Sequence, residues 1–534
     1  MSSFDRATAL ARLAGGTFDL LVVGGGVTGA GVALDAAARG LRVALVERCD
    51  FASGTSSRSS KLVHGGLRYL QQREYRLVYE NLAERQRLLA NAPHLVTPLP
   101  FLIPLFGKPG AVSAAVARGY RSALWLYDAT GGVRIGRRHR RISRSEALEH
   151  LPTLDADLLA AAFVYYDAQA DDARLTLALV RTAVLDHGVV AANYCPVTGM
   201  VKEAGRVAGA RLSDGTEIRA PVVVNATGVW VDSLRSMAEG RDPGSIRPAK
   251  GVHLTIPRSL LPADIAAVLP VPGDRRSIFV VPWGDRVYLG TTDTDYAGDL
   301  DDPSVEPADI AYILAAVNQF VTRKITPAEV VGTWAGLRPL VRNDRSTRTA
   351  DLSRRHRVLV SPTGLVTITG GKLTTYRKMA QDTVDEVGRS LGRRLGRSPT
   401  PTLKLRGAGD FDRFRRKAPA SLGLSPEHFA HLAGRYGTEA RTVAAMVAAE
   451  PALAEPLVEG LPYLRAEAVY AARYEMAHTL DDVLSRRTRA LLLDREATVA
   501  AAPATARLVA PEVGWDESEV SRQVEGFRRL AGPT

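Results

Sequence analysis

The residues of this chain best suited to chemistry form two sets. One is a group of glycines spaced to let a phosphate reach the backbone, and the other is a scatter of Arg, Lys and His suited to gripping an anion and moving a proton. Gly24, Gly26 and Gly29 make G-x-G-x-x-G directly after the apolar run Phe18-Asp-Leu-Leu-Val-Val23. Gly24 permits a tight turn, Gly26 opens the backbone to a pyrophosphate, and Gly29 lets the following helix lie close to the strand. The amides at that helix N-terminus then face the phosphates. Glu47 ends a second apolar run, about 20 residues beyond the glycines, where a carboxylate accepts from ribose hydroxyls. A carboxylate there favours an unphosphorylated adenosine ribose, so FAD or NAD rather than NADP.

The cationic set begins at His64-Gly-Gly-Leu-Arg-Tyr-Leu70, where His64, Arg68 and Tyr69 are interleaved with apolar residues that a plain solvent loop would not carry. Arg338 precedes Pro339, which fixes the local backbone and presents the arginine from a stiff, extended segment. Lys372 follows Gly370-Gly371 at the start of a helical stretch. A helix N-terminus beside glycines favours negative charge, and a lysine there can hold a phosphate. Arginine's planar fork donates two parallel charge-assisted hydrogen bonds to a phosphate. Histidine titrates near neutrality, as a general base should.

These side chains need a scaffold, and 534 residues with 46% hydrophobic content supply two or three domains with a sizeable core. Cys49 and Cys195 are the only cysteines. That excludes a disulfide framework, an iron–sulfur cluster and a thiolate zinc site of the usual spacing, and it fits a reducing compartment. No H-E-x-x-H occurs either, so no metal is expected. The N-terminal stretch lacks the apolar core of a secretory signal. No run approaches the ~18 apolar residues of a membrane span, so any membrane contact is expected at the surface. The net charge of +12 leaves open an Arg-rich composition, an anionic substrate, an anionic lipid surface or nucleic acid.

Periodicity predicts an amphipathic helix over 73–90, with Glu80, Glu84, Arg85 and Arg87 off its apolar positions. Pro93, Pro98, Pro100 and Pro104 are expected to break regular structure. A second helix over 111–128 carries Val112, Val116, Leu124, Trp125 and Tyr127, and Arg134, Arg137, Arg138, His139, Arg140, Arg141 and Arg144 follow it. An apolar helix with an interfacial Trp beside clustered Arg suits docking on anionic lipid. A solvated charge run beside a core helix reads the same residues. Nucleic acid is disfavoured, because the aromatics are not interleaved for base stacking. Further on, Ala220 to Trp230 reads as a buried strand ending in Asn225-Ala-Thr-Gly228, and Lys250 to Ile256 alternates. A hairpin is expected around Gly284-Asp285, and helical segments dominate from about 400, including 425–450 and 464–495.

Gly24 to Glu47, with Thr55-Ser-Ser-Arg-Ser-Ser-Lys61 and His64-Gly-Gly-Leu-Arg-Tyr-Leu70, resembles the FAD-dependent glycerol-3-phosphate dehydrogenases. These respiratory enzymes belong to the glycine-oxidase-like flavoprotein class, and the resemblance covers roughly 17 to 495. It implies an α/β fold with a discontinuous Rossmann-type FAD-binding domain, an antiparallel-sheet substrate domain and an all-helical C-terminal domain. The oxidoreductase region would span 17–400, with FAD-binding parts at about 17–95, 155–235 and 355–395 and substrate or cap parts at about 96–154 and 236–354. The helical domain would span 401–534.

FAD is the implied cofactor. The resemblance places Thr55, Ser56, Ser60, Lys61, Gly65, Gly228 and Gly371 around it, beside Gly24, Gly26, Gly29 and Glu47. Arg68, Tyr69, Arg338, Arg354 and Lys372 are the implied substrate set, with Arg355 the rival of Arg354. The implied reaction oxidises sn-glycerol 3-phosphate to dihydroxyacetone phosphate. The base is His253, which sits where the family places an active-site histidine, or His64; Arg338 alternatively stabilises the developing alkoxide. Electrons would pass to a membrane quinone. Glycerol 3-phosphate, quinone and anionic lipid are the expected partners, nucleic acid is not, and a homodimer is left open. The expected location is cytoplasmic, peripheral on the inner face of the plasma membrane.

Overall fold

A computed structural model describes residues 4–71, 74–107, 114–274, 276–342, 355–417 and 422–532 of the chain. The runs Leu20–Val23 and Val43–Val46 form parallel strands buried throughout, in the register Leu20 to Val43 and Val23 to Val46. Short continuous apolar strands of this kind need cover on both faces. The small-residue helix Val27–Ala38 connects them and packs between the helices Asp172–His187 and Tyr376–Ser390.

The cofactor-domain sheet has six strands, in the order Arg357–Val360, Val366–Thr369, Val222–Asn225, Leu20–Val23, Val43–Val46, Val190–Ala192. Neighbours run parallel except at the edge, where Arg357–Val360 is antiparallel to Val366–Thr369. Sequence-distant segments contribute, so this domain is discontinuous, as expected. The chain leaves Leu20–Val23 toward Val43–Val46 on one side and returns much later as Val222–Asn225 on the other. Such a switch point opens a crevice outside the carboxyl ends of the strands.

A ten-stranded sheet forms the second layer. Its neighbours are antiparallel except for Ala266–Pro270 against Val96–Phe106. Two expectations fail here. Pro98, Pro100 and Pro104 do not break structure; they lie within the strand Val96–Phe106, paired to Leu159–Ala170. They share parity, so their missing donors fall along one edge of the strand. Burial in Ile246–Pro257 does not alternate but is continuous from Ala249 through Ile256, because Val252, Leu254 and Ile256 join a core cluster while His253 stacks on Trp334 and Thr255 donates to the Leu492 carbonyl at 2.7 Å. The hairpin around Gly284-Asp285 forms as expected.

The helix Tyr75–Asn91 forms, but two charges assigned to its polar face are buried. Glu84 accepts from Arg377 Nε at 2.6 Å, and Arg85 donates to Asp167 Oδ1 at 2.7 Å. From Phe411 on, the elements are helical, in shorter pieces than the expected 425–450 and 464–495. Gly437, at φ +60°, separates Pro426–Tyr436 from Ala440–Ala449, and Arg465–Tyr474 ends well before Asp482–Arg487. Two further helices, Arg495–Val513 and Glu517–Ala531, complete the domain.

Candidate functional site

At the carboxyl ends of the six-stranded sheet lies a cavity of about 360 Å³, lined by the turns that follow four of its strands. Gly24, Gly26 and Thr28 come from the first, Glu47 and Arg48 from the second, Ala226 to Gly228 from the third, and Gly370 to Leu373 from the fourth. Thr55 and Ser56 line the side, with Trp230 and Met237.

Gly24 has φ +111°, and a Cβ there would stand 2.7 Å from the Ala226 carbonyl oxygen. At Gly29 a Cβ would stand 1.8 Å from the Gly24 carbonyl oxygen, so helix and turn touch backbone to backbone. A Cβ on Gly26 would meet only the Ser56 hydroxyl, at 3.1 Å. Gly26 also N-caps the helix without a side chain, which leaves its first turn open toward the cavity. Ser56 Oγ accepts from the Val27 amide at 2.9 Å and orients that turn.

Glu47 accepts from the Gly25 amide at 2.6 Å and the Cys49 amide at 3.0 Å. Burial pushes its carboxyl up from the usual range, against those two bonds. Gly228 and Gly371 both have positive φ, and both line the cavity. A glycine cradle, a helix N-terminus and a carboxylate at the second strand suit the pyrophosphate and ribose of a dinucleotide.

Lys372 lies on the cavity wall, with Nζ 3.8 Å over the Tyr69 ring. The turn after it returns to the histidine segment, where the His64 amide donates to Thr374 Oγ1 at 3.2 Å. The segment from His64 to Tyr69 and the turn from Lys372 to Thr374, about 300 residues apart in sequence, therefore meet. Arg338 lies in the strand Gly332–Val341 and donates to Asp293 Oδ1, Thr291 Oγ1 and the Thr292 carbonyl, each at 3.2 Å. Its guanidinium lies flat against Gly251, where a Cβ would approach it to 2.4 Å. Pro339, the next residue, lines the cavity.

Gly29, His64, Tyr69 and Arg338 are not part of the cavity lining, and neither are Ser60, Lys61, Gly65 and His253. Ser60 Oγ shares a hydrogen bond with His253 Nε2 at 2.9 Å. Lys61 is buried and donates to Asp172 Oδ1 at 3.0 Å; burial and the Arg489 charge lower its pKa to about 8. The Gly65 amide donates to Tyr127 at 2.9 Å, and a Cβ at Gly65 would clash with that hydroxyl. His253 is 2% exposed, its ring stacked on Trp334 at 4.8 Å. Burial, and then the charges of Lys61 and Arg338, drive its pKa well below 6.5.

Thr55 Oγ1 donates to the Leu337 carbonyl at 2.6 Å, which ties the serine-rich loop to the Arg338 strand. Arg355 pairs with Glu74 at 2.8 Å on the surface. Arg354 and the Arg68 side chain lie outside the described residues.

Sequence reading missed three residues at this site: Asp293, which holds Arg338, and Arg48 and Trp230 at the rim. Asp293 ends Gly-Thr-Thr-Asp, so its motif was visible although its partner was not. No group of His, Cys, Asp and Glu arranged to hold a metal is found among the described residues.

Comparison with known proteins agrees along the chain. The sequence model of the FAD dependent oxidoreductase family matches residues 19–377, and that of the C-terminal domain of alpha-glycerophosphate oxidase matches 398–520. Glycerol-3-phosphate dehydrogenase 2 of Mycobacterium tuberculosis is 43% identical over 532 residues, covering 98% of this chain and 89% of that protein. The mitochondrial glycerol-3-phosphate dehydrogenase of Homo sapiens is 39% identical over 538 residues, covering 96% and 73%. The structure of glycerol-3-phosphate dehydrogenase from Bacillus halodurans complexed with FAD matches with a TM-score of 0.80 at 33% identity, over 98% of this chain and 96% of that one. With FAD as its cofactor, the chain belongs to the FAD-dependent oxidoreductases, and among them to the glycerol-3-phosphate dehydrogenases.

Proposed function

We propose that this protein oxidises sn-glycerol 3-phosphate to dihydroxyacetone phosphate and delivers the electrons to a membrane quinone. When bound, FAD supplies the acceptor for the hydride leaving the substrate C2. Gly24, Gly26, Glu47, Thr55, Ser56, Gly228 and Gly371 are the residues of the cavity wall that would hold it, with Gly29 behind them keeping the helix close to the turn. Ser60, Lys61 and Gly65 would act one layer out, by fixing the loop that carries Thr55 and Ser56.

The observation that carries the reading is the position of Lys372, an ammonium on the wall of a glycine-cradled cavity with the Tyr69 ring beneath it, on a turn whose Thr374 holds the His64 amide. An ammonium and a guanidinium suit a dianionic phosphoester, which must be desolvated and held while its C2 reacts. Lys372 and Arg338 grip the substrate, and Arg68 and Arg354 complete the cationic set. The proton of the C2 hydroxyl needs a base. We favour His64, because its backbone is tied to Thr374 in the turn that carries Lys372, whereas His253 is stacked against Trp334 with a depressed pKa.

Anaerobic addition of glycerol 3-phosphate to the purified holoenzyme is expected to bleach the flavin absorbance. An unbleached spectrum would remove the proposal.

The quinone assignment is supported by one exposed face. On the helix Ala114–Ala129, Trp125 is 65% exposed, and Arg118 and Arg121 are exposed beside it. Tyr75 and Tyr79 are exposed on the helix Tyr75–Asn91, and Arg134, just past the helix Ala114–Ala129, lies over the Tyr79 ring at 5.0 Å. Aromatic and cationic side chains together suit the interface of an anionic bilayer. No helix among the described residues is long and apolar enough to cross a membrane. We therefore place the enzyme peripherally on the cytoplasmic face of the plasma membrane. Flotation with phosphatidylglycerol vesicles should recover the wild type and lose Trp125→Asp; equal recovery of both argues against this face. Peroxide production at full turnover without an added acceptor would instead favour oxygen.

A further inference from the structure

We propose that Arg48, Trp230 and Asp301 form a clasp over the adenosine end of the cofactor cavity, and that opening this clasp sets the rate at which FAD leaves. The inference rests on FAD occupying that cavity. Arg48 directly follows Glu47, the carboxylate placed for the adenosine ribose, and it lines the cavity together with Trp230. Its guanidinium carbon lies 4.4 Å over the Trp230 ring, close enough for a cation–π contact.

Asp301 ties the pair together. One of its oxygens accepts from Trp230 Nε1 at 2.7 Å and from Arg48 Nη2, and the other accepts from Arg48 Nη1 at 3.3 Å. The indole is seated from below as well, since a Cβ on Gly54 would stand 3.0 Å from its ring. The three members come from far-apart segments: the end of Val43–Val46, the turn Gly228–Trp230, and the connection between Thr294–Asp295 and the helix Pro307–Asn318. The first two belong to the cofactor sheet, and the third belongs to the substrate layer. The clasp therefore bridges the two layers at the rim.

Its strength suits a gate. The Arg48 and Asp301 side chains are 40% and 57% exposed, so water and salt reach the ion pair. Buried pairs behind the cavity, such as Asp50 with Arg487, have no such access. A partly solvated triad that joins two layers can open while the rest of the fold stays closed.

The test compares FAD release from wild-type holoenzyme, Asp301→Asn, Arg48→Gln and the double variant, read as the rise of flavin fluorescence on dilution. Each single variant should release FAD roughly three- to fivefold faster, the scale of one partly exposed ion pair. The double variant should be no faster than the faster single, since both changes undo one device. Potassium chloride should speed release from the wild type and leave Asp301→Asn unchanged. With FAD in excess, Asp301→Asn should keep the wild-type kcat and KM for glycerol 3-phosphate. Wild-type release rates in both single variants would overturn the clasp, and so would a salt response that persists in Asp301→Asn. A wild-type protein that binds no FAD would overturn it together with the cofactor assignment.

Discussion

Lys372 and Arg338, the proposed grip on the substrate anion, are held in place in different ways. Lys372 reaches the cavity wall over an aromatic ring, and Arg338 is fixed by a carboxylate, a hydroxyl and carbonyl oxygens. Lys372→Ala and Arg338→Ala are expected to lose kcat/KM severely, roughly a hundredfold or more if each removes a charge-assisted contact worth about 3 kcal/mol in the transition state. Both should keep FAD, because neither side chain builds the glycine cradle. Near-wild-type turnover in both would remove the anion clamp.

The two histidines separate by pH. A base must be deprotonated to act, so kcat/KM falls on the acid side of its pKa. His64→Asn should abolish that acid limb. His253→Asn should leave it in place, since burial already holds His253 neutral through the neutral range. An acid limb retained by His64→Asn and lost by His253→Asn would reverse the assignment.

Among the elements, the strand–turn–helix at 20–38 depends on backbone contact that no side chain can share. Gly29→Ala would place a methyl 1.8 Å from the Gly24 carbonyl oxygen, so the helix must move off the sheet. We expect a protein that purifies with little flavin and a lowered Tm, with a cost of about 1–3 kcal/mol or more from overpacking. Retention of full FAD content would contradict the tight cradle. The strand Ile246–Pro257 makes the converse point. Its sequence alternates over Lys250 to Ile256, yet Lys250 and His253 are both buried with partners: Lys250 with Asp309 at 2.8 Å, and His253 with Ser60.

The whole molecule is joined behind the cavity by buried charges. Asp50, fully buried just past Cys49, accepts from Arg486 Nε at 2.6 Å and from Arg487 Nη1 at 2.6 Å, both from the C-terminal helical domain. Burial opposes its charge, but the two guanidinia still hold its carboxyl well below the usual range. Its pKa is depressed, so its stabilising effect is present above the unfolded carboxylate pKa and is lost as the pH falls through the folded value. Near it, Arg174 pairs with Glu475 at 2.7 Å, and Arg489 pairs with Asp172 at 2.7 Å, so several charged bonds cross the domain boundary. Asp50→Asn should cost about 3–5 kcal/mol at neutral pH, because it leaves buried guanidinia uncompensated. Thermal unfolding of the holoenzyme measures this, and an unchanged Tm would show that the network does not join the domains.

Local chemistry alone determined much of this protein. The glycine spacing, the apolar runs around it and Glu47 specify a dinucleotide cradle, because turn conformation and close backbone approach depend on residue type over a few positions. Arg338-Pro339 and Gly370-Gly371-Lys372 set how two cations leave the backbone for the same reason, while the family resemblance implied their substrate role. Tertiary structure decided which scattered residues meet. Lys61 and Gly65 looked like cofactor ligands but face Asp172 and Tyr127, Glu84 and Arg85 looked solvated but are buried in pairs, and Arg48, Trp230 and Asp301 meet at the cavity rim. Neither composition nor periodicity carries that information, because a charge is stable inside only where a distant segment supplies its partner, and only folding brings that segment there.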